Sequence, residues 1–500
     1  MAFRATFLAV VAATLAGHLV ALGFEIAAAA RFGTGRDADA LAFALMLLVT
    51  LTGEVVGWLS TLFVPLYIDA GVASSARAAA LARRVLGALV VLTVGGALLL
   101  ALGAPLIVAL LAPALGERGV TVLRAFAPLF VVLPLAGLFA AMLQARGRFV
   151  GASLRPLAWY SGGLVSIVML AGALGAVAVP LGMLAGTVVF GAMIALAVLR
   201  LGAPFAGDGS GPTLGRLGTL LVPLALLSAA AAANVAVERA LAARLPEGSL
   251  AALTYAWRLL NLPLALLVVN ATAIMLPTLA SHAARGEGAA VDALTGRALR
   301  IGVVFAVPLA ALAIALAEPL TQVLLERGAF TATSTTATAT AIAWYAPGVV
   351  AMAIVQILFR TYQAVHALWP LAWTVGAGMA VNVTLMSALT SLLGFHGLPL
   401  AASVSGFVLV GLMLVGLRGR VHGLGDALFA RSTVAVAGAG VVAAAAAWTV
   451  RGLAAGSTSG LIAGAAAGVV VYAGALAALA PGEARAALAA VVPAAYGRPA

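Results

Sequence analysis

Runs of twenty or more mostly apolar residues follow one another along nearly the whole chain, separated only by short loops. A helix that crosses the hydrocarbon core of a bilayer needs about 20 such residues. Of the 500 residues, 64% are hydrophobic and only 8% are charged. Ordinary soluble domains carry about 25% charged residues, so a soluble fold of this size cannot cover its surface. Lipid leaves backbone polar groups no outside partner, which restricts spanning segments to helices or closed barrels. Continuous apolar runs, without strict alternation, select the helix. The chain therefore reads as an all-α polytopic membrane protein. It contains no Cys, which excludes disulfides, thiol catalysis and thiolate metal sites. The net charge of +12 is scattered through short loops and carried by Arg without any Lys. That pattern sets membrane orientation and implies no nucleic-acid partner.

The hydropathy pattern predicts about fourteen spanning segments, at 6–30, 41–69, 85–111, 121–145, 156–177, 179–200, 217–241, 249–280, 298–324, 336–360, 369–393, 397–417, 432–450 and 458–480. The apolar run that follows Arg4 is too long for a signal peptide and reads as the first span. Alternate loops are rich in Arg, as at Arg83 and Arg84, Arg146 and Arg148, and Arg418 and Arg420. The positive-inside rule then puts both termini in the cytoplasm of a protein in the cytoplasmic (inner) membrane.

The first half of the chain recurs in the second. Glu25 matches Glu238, Val64-Pro65 matches Leu276-Pro277, and Glu117-Arg118-Gly119 matches Glu326-Arg327-Gly328. Pro156-Leu157-Ala158-Trp159 matches Pro370-Leu371-Ala372-Trp373, and the common order holds with offsets of 209–219. A duplication of six helices explains this. Because six is even, both copies share one orientation, and a pseudo-twofold axis along the membrane normal is expected with a central site between the lobes. The expected organisation is an N-terminal lobe at 1–201, a Gly/Pro-rich cytoplasmic linker at 202–216, a C-terminal lobe at 217–420, and two extra helices with a short amphipathic tail at 421–500. Gly460, Gly464 and Gly468 favour close packing of the last helix within the chain. A monomer is expected.

Ionisable groups inside spans cost roughly 2.5–3.5 kcal/mol each at a helix centre, so they face a cavity or a partner. Here they are His18, Glu25, Glu54, Glu238, Arg239, Arg258 and, nearer a helix end, Arg360; Asn261 follows Arg258 on the same face. Arg258, Arg239, His18 and Asn261 are the candidate substrate-binding residues. Glu25, Glu238, Glu54 and Asp39 are the candidates for gating or coupling. Asp37-Ala38-Asp39 imitates a metal-binding pair, but beside Arg36 in a short loop it reads as a helix cap with a local ion pair. No Walker A sequence and no metal-ligand spacing is present, so no cofactor is expected, and coupling falls to the membrane potential, H+ or Na+. A membrane-embedded glycosyltransferase needs a longer extramembrane loop than any here, and the chain is not expected to be an enzyme. Pro128, Pro134, Pro223, Pro263, Pro308 and Pro347 predict kinks.

Several motifs resemble the MurJ/MviN lipid II flippases of the multidrug/oligosaccharidyl-lipid/polysaccharide exporter superfamily. They are Phe32-Gly33-Thr34-Gly35 followed by Asp39-Ala40; Leu245-Pro246-Glu247-Gly248-Ser249 followed by Tyr255-Ala256, Arg258-Leu259 and Leu262-Pro263; Gly147-Arg148-Phe149; and Glu326-Arg327-Gly328-Ala329-Phe330-Thr331. The resemblance implies that a polyprenyl-pyrophosphate-linked peptidoglycan precursor is moved from the inner to the outer leaflet by alternating access. It also implies a cationic cavity and a lipid-tail groove on the last two helices. Membrane lipids and a lipid-linked glycan are the implied partners. The family's remaining arginine positions carry His18, Phe24 and Thr52 here, so only Arg258 persists from that set. The alternatives are an exporter of another lipid-linked oligosaccharide, a cation-coupled drug antiporter of the same superfamily, or a non-transporting scaffold.

Overall fold

In a computed structural model, the structure describes residues 2–148, 150–202, 205, 232–264, 270–454 and 456–491, and among these it contains helices and no strand. The linker apart from Gly202 and Phe205, together with Pro223, lies outside the described residues. The chain divides into two compact units: Met1–Ala251 with Arg327–Thr331, and Ala252–Glu326 with Ala332–Ala500.

The first unit contains α1 (Ala2–Phe32), α2 (Arg36–Trp58), α3 (Val64–Ala73), α4 (Ser75–Leu111), α5 (Gly116–Phe126), α6 (Leu129–Ala145), the short α7 (Val150–Ser153), α8 (Arg155–Leu174), α9 (Ala178–Leu199) and α10 (232–242). Between α2 and α3 the helix widens to a π turn at Leu59–Phe63. Pro65 has no N–H to give the carbonyl four residues back, and the wider turn absorbs that loss. Pro105 likewise deprives the Ala101 carbonyl of its helical donor. The Arg124 guanidinium replaces it, donating at 3.1 Å. The predicted span at 121–145 is interrupted at Ala127 and Pro128, where α5 ends and α6 begins. The break falls at Pro128, one of the prolines expected to bend a helix, where the amphipathic α5 with Glu117, Arg118 and Arg124 meets the apolar α6. Leu81, Leu138, Phe190 and Ile194 are buried in the unit's core. Helices α8 and α9 touch backbone to backbone, since a Cβ on Gly162 would stand 2.1 Å from the Gly182 carbonyl oxygen. In lipid, such small-residue contacts supply the packing that the hydrophobic effect does not.

The second unit continues with α11 (Ser249–Leu264, whose first turn belongs to the first unit), α12 (Asn270–Ala284), α13 (Gly288–Ala315), α14 (Ala317–Leu325), α15 (Ala332–Ala364), α16 (Leu368–Leu393), α17 (Gly397–Gly416), α18 (Leu424–Phe429), α19 (Arg431–Leu453), α20 (Ser457–Leu479) and α21 (Pro481–Val491). Pro347 lies inside α15, and Ser403 of α17 serves backbone groups beside it. Its hydroxyl accepts from the Gly348 N–H at 3.1 Å and donates to the Trp344 carbonyl at 2.7 Å. The phenol of Tyr362 donates to the Met413 carbonyl, and that of Tyr472 to the Val304 carbonyl, so both buried hydroxyls are satisfied. Gly460, Gly464 and Gly468 press on α19 and α13, with a Cβ on Gly464 placed 2.8 Å from the Ala447 carbonyl oxygen. That is the packing role expected of them.

The internal repeat has structural counterparts. α8 and α9 are joined by a 3-10 turn that opens on Gly175 at φ +55°, and α16 and α17 by one that opens on Gly394 at φ +56°. Gly147 at φ +74° precedes the first helix pair, and His366 at φ +53° precedes the second. Ten helical stretches among the described residues are long and apolar enough to cross a membrane, and two of them, Val150–Leu199 and Trp369–Gly416, are such folded-back pairs. The chain is a multi-pass membrane protein. The predicted spans 217–241 and 249–280 run over residues outside the described set.

Candidate functional site

Three loops of the first unit converge around one buried carboxylate. The loop after α1 carries Gly33, Thr34 and Gly35. The loop after α10 carries Glu247 and Gly248. The third is Arg327–Thr331. Each approaches another backbone too closely for a side chain. A Cβ on Gly33 would lie 2.3 Å from the Ala329 carbonyl oxygen, one on Gly248 2.3 Å from that of Thr34, and one on Gly328 2.3 Å from that of Ala30. All three glycines have positive φ, which side chains resist. The Ala329 N–H donates to the Ala30 carbonyl at 2.8 Å and ties the third loop to the end of α1.

Asp39, in the first turn of α2, is 6% exposed. One of its carboxylate oxygens accepts from the Gly248 N–H and the other from the Ala251 N–H, both at 2.7 Å. These N–H groups belong to the start of α11, where helical geometry leaves donors without partners. The aspartate is therefore a helix cap, as its sequence context suggests, but it caps a helix more than 200 residues away. Its negative charge also suits the positive end of the α11 dipole. The ion pair expected locally at Arg36 forms elsewhere: Arg36 pairs with Glu247 at 2.9 Å and Asp37 with Arg118 at 3.0 Å. Both pairs are exposed and worth at most about 1 kcal/mol. The buried Asp39 bonds therefore carry the energetics of this junction. The sequence reading missed Glu247 and Gly248 as partners. Both stand in the Leu245–Ser249 motif, and the repeat sets that loop at a position equivalent to the one before Asp39, but neither signal pairs them with it.

The charges expected within spans divide between the two units. Glu25 sits on α1 about 10 Å below its end at the usual rise per residue, and it is buried. His18, half-buried, is two turns further along the same face of the unbroken α1. Glu238 and Arg239 stand in the last turns of α10. Arg239 is buried, and its guanidinium lies 3.6 Å from the Glu238 carboxylate. In the second unit, half-buried Arg258 stands about 13 Å along α11 from Ser249. Asn261 follows on the same face and is exposed. Glu54 falls in α2, and its side chain lies outside the described residues. Phe24 and Thr52 contribute no charge. Phe24 packs on Tyr160 at 5.5 Å between ring centres, and the Thr52 hydroxyl donates to the Leu48 carbonyl at 2.8 Å.

Outside the spans, the turn between α12 and α13 holds a compact charged cluster. Arg285 donates to Glu287 at 2.7 Å and His282 contacts the same carboxylate, which pulls its pKa down to about 2.

Comparisons with known proteins agree with this architecture. The family model described as lipid II flippase MurJ matches residues 28–464. A probable lipid II flippase MurJ of Rhizobium tropici is 28% identical over 320 residues, a stretch that is 61% of this chain and 58% of the relative. The chain thus matches less than three fifths of that relative's length. Among solved structures, lipid II flippase MurJ in an inward closed conformation superposes with a TM-score of 0.79 at 18% identity, covering 94% of this chain and 98% of that one. An inward-facing multidrug resistance transporter of the MATE family, MOP superfamily, gives a TM-score of 0.70 at 14% identity, covering 82% and 95%. At these identities the structural likeness establishes the two-lobe fold alone.

Proposed function

The chain belongs to the lipid II flippase MurJ family, and on that premise we propose that it moves a polyprenyl-pyrophosphate-linked peptidoglycan precursor, of lipid II type, from the inner to the outer leaflet by alternating access. The observation that carries this reading is Arg258, a half-buried cation in the third turn of a helix whose start is held by the buried Asp39 carboxylate. A pyrophosphate leaving water needs charge-assisted donors, and guanidinium supplies a planar pair of them. Arg258 binds the head group in this account, with Arg239, His18 and Asn261 completing the polar path. Glu25, Glu238 and Glu54 balance these cations and couple their movement to ions. Asp39 releases or holds α11 as the lobes, 1–201 and 217–420, exchange access.

The proposed protein is a transporter without a catalytic step or cofactor, a monomer of the cytoplasmic membrane with both termini inside. The membrane potential drives it at about 2.3 kcal/mol per charge per 100 mV, with H+ or Na+ as coupling ion. Phe24 and Thr52, committed to packing, favour a second reading in which the cargo is another lipid-linked oligosaccharide with a less highly charged head.

Complementation separates these. Cells depleted of their own flippase are expected to grow with the wild-type chain and to fail with Arg258→Ala. Full growth with Arg258→Ala removes the head-group assignment. Failure of a well-expressed wild-type chain moves the cargo to the second reading.

A further inference from the structure

The arginine-rich end of α17 opens onto a cavity that the transport account does not use. It encloses about 450 Å³ between the last turns of α17 and the loop that leads to α18. Its walls are apolar at Leu414, Val415, Val421 and Leu424, and its polar lining includes Arg418 and His422. Four glycines also line it, Gly411, Gly419, Gly423 and Gly425, and a Cβ on any of them would meet no atom within 4 Å. The space is therefore unfilled by the chain and shaped by missing side chains. The loop is anchored nonetheless. Asp292 of α13 accepts from the His422 N–H at 3.0 Å and faces its ring at 3.5 Å, while buried Leu417, Val421 and Leu424 join the unit's core. Arg418 and Arg420 are exposed, and among the described residues neither pairs with a carboxylate. The remaining acid of the loop, Asp426, is exposed in the first turn of α18.

The surroundings place the cavity at a membrane surface. Val404, Val408, Gly411 and Val415 recur at steps of four, three and four along α17 and form one exposed apolar stripe that ends in the cavity. At the same end of the neighbouring antiparallel helix α16, Trp369 and Trp373 are exposed, where amphipathic rings mark the level of lipid head groups. An apolar trough that runs into a cationic, glycine-walled recess has the chemistry of an anionic phospholipid. Its acyl chain lies along the stripe and its phosphodiester meets Arg418, since basic pockets between spanning helices take up anionic head groups.

We infer that the recess bounded by Arg418, His422 and the four glycines is a binding site for an anionic phospholipid, separate from the transport path. The test uses the full chain purified in neutral detergent, titrated with phosphatidylglycerol, phosphatidylcholine or inorganic phosphate, with binding read by native mass spectrometry and by the melting midpoint. A surface Arg contributes about 1 kcal/mol toward an anionic lipid, about fivefold in affinity. Phosphatidylglycerol is thus expected to bind about fivefold or more tightly than phosphatidylcholine, and Arg418→Gln to remove most of that preference. Gly411→Leu, which fills the recess and keeps every charge, is expected to weaken phosphatidylglycerol binding while the protein stays folded. It keeps the test open if Arg418→Gln fails to fold. Unchanged phosphatidylglycerol binding in the folded variants overturns the site. Equal binding of phosphatidylcholine overturns its charge selectivity. Phosphate binding as tightly as phosphatidylglycerol overturns the lipid assignment in favour of a free-anion site.

Discussion

Glycine serves opposite purposes in two loop regions of this chain. Around Asp39, glycines are present because two backbones meet with no room for a side chain: the oxygens of Ala30, Thr34 and Ala329 stand 2.3 Å from where a Cβ would be. Around Arg418, glycines are present where nothing meets them, and the space stays empty. The first arrangement locks a junction whose polar groups are satisfied by one buried carboxylate. The second keeps a recess open at a surface. Composition does not separate the two. What separates them is whether a backbone carbonyl or empty space stands where a Cβ would be.

The sharpest way to break the comparison is a pair of substitutions. Gly248→Ala sets a Cβ against the Thr34 carbonyl at a positive φ, and strain plus overpacking are expected to cost about 3 kcal/mol or more. The melting midpoint in detergent should drop clearly. Next in size is Asp39→Ala, which strips two buried N–H groups of their acceptor at an expected cost of about 2–4 kcal/mol. Asp39→Asn keeps one acceptor oxygen and should lose about half as much. Gly411→Ala is expected to change stability by less than about 1 kcal/mol, with helix propensity favouring Ala. A large loss there would mean the recess is filled in the working protein. The smallest effect is a pH dependence. The Glu287 carboxyl is held down at about 2 from 4.5, first by the bond from Arg285 and then by that from His282. A lowered carboxylate pKa stabilises the fold above the unfolded value. That contribution is complete above pH 4.5 and fades as pH falls toward 2. Melting midpoints of wild type and Glu287→Gln should therefore converge across that window, and parallel curves would refute the contribution.

The class of fold was legible because scarcity of charge leaves a chain of this length no solvent but lipid. The duplication was legible because loop motifs such as Glu117-Arg118-Gly119 and Glu326-Arg327-Gly328 keep their order through apolar sequence that otherwise carries little information. Asp39 was legible as a cap, but its target was not, because a hydrogen bond spanning 209 residues leaves no local pattern. The break at Ala127 and Pro128 was legible from the proline, whereas Ser403, whose hydroxyl serves the Gly348 N–H and the Trp344 carbonyl of another helix, was not, because bonds across more than 50 residues leave no local pattern. The charged residues were individually visible. Their burial was not, since Phe24 and Glu25 are adjacent on α1 and both buried, one among aromatic neighbours and one as an intramembrane carboxylate.

In the proposed mechanism, a cation on a capped helix handles the anionic head of a lipid-linked precursor. Reconstituted vesicles loaded with labelled lipid II test it directly, by following appearance of the label on the opposite leaflet. The account predicts transfer by the wild-type chain, loss of about tenfold or more with Arg258→Ala, and partial recovery with Arg258→Lys, which keeps the charge without the planar fork. Transfer by Arg258→Ala at the wild-type rate would contradict it.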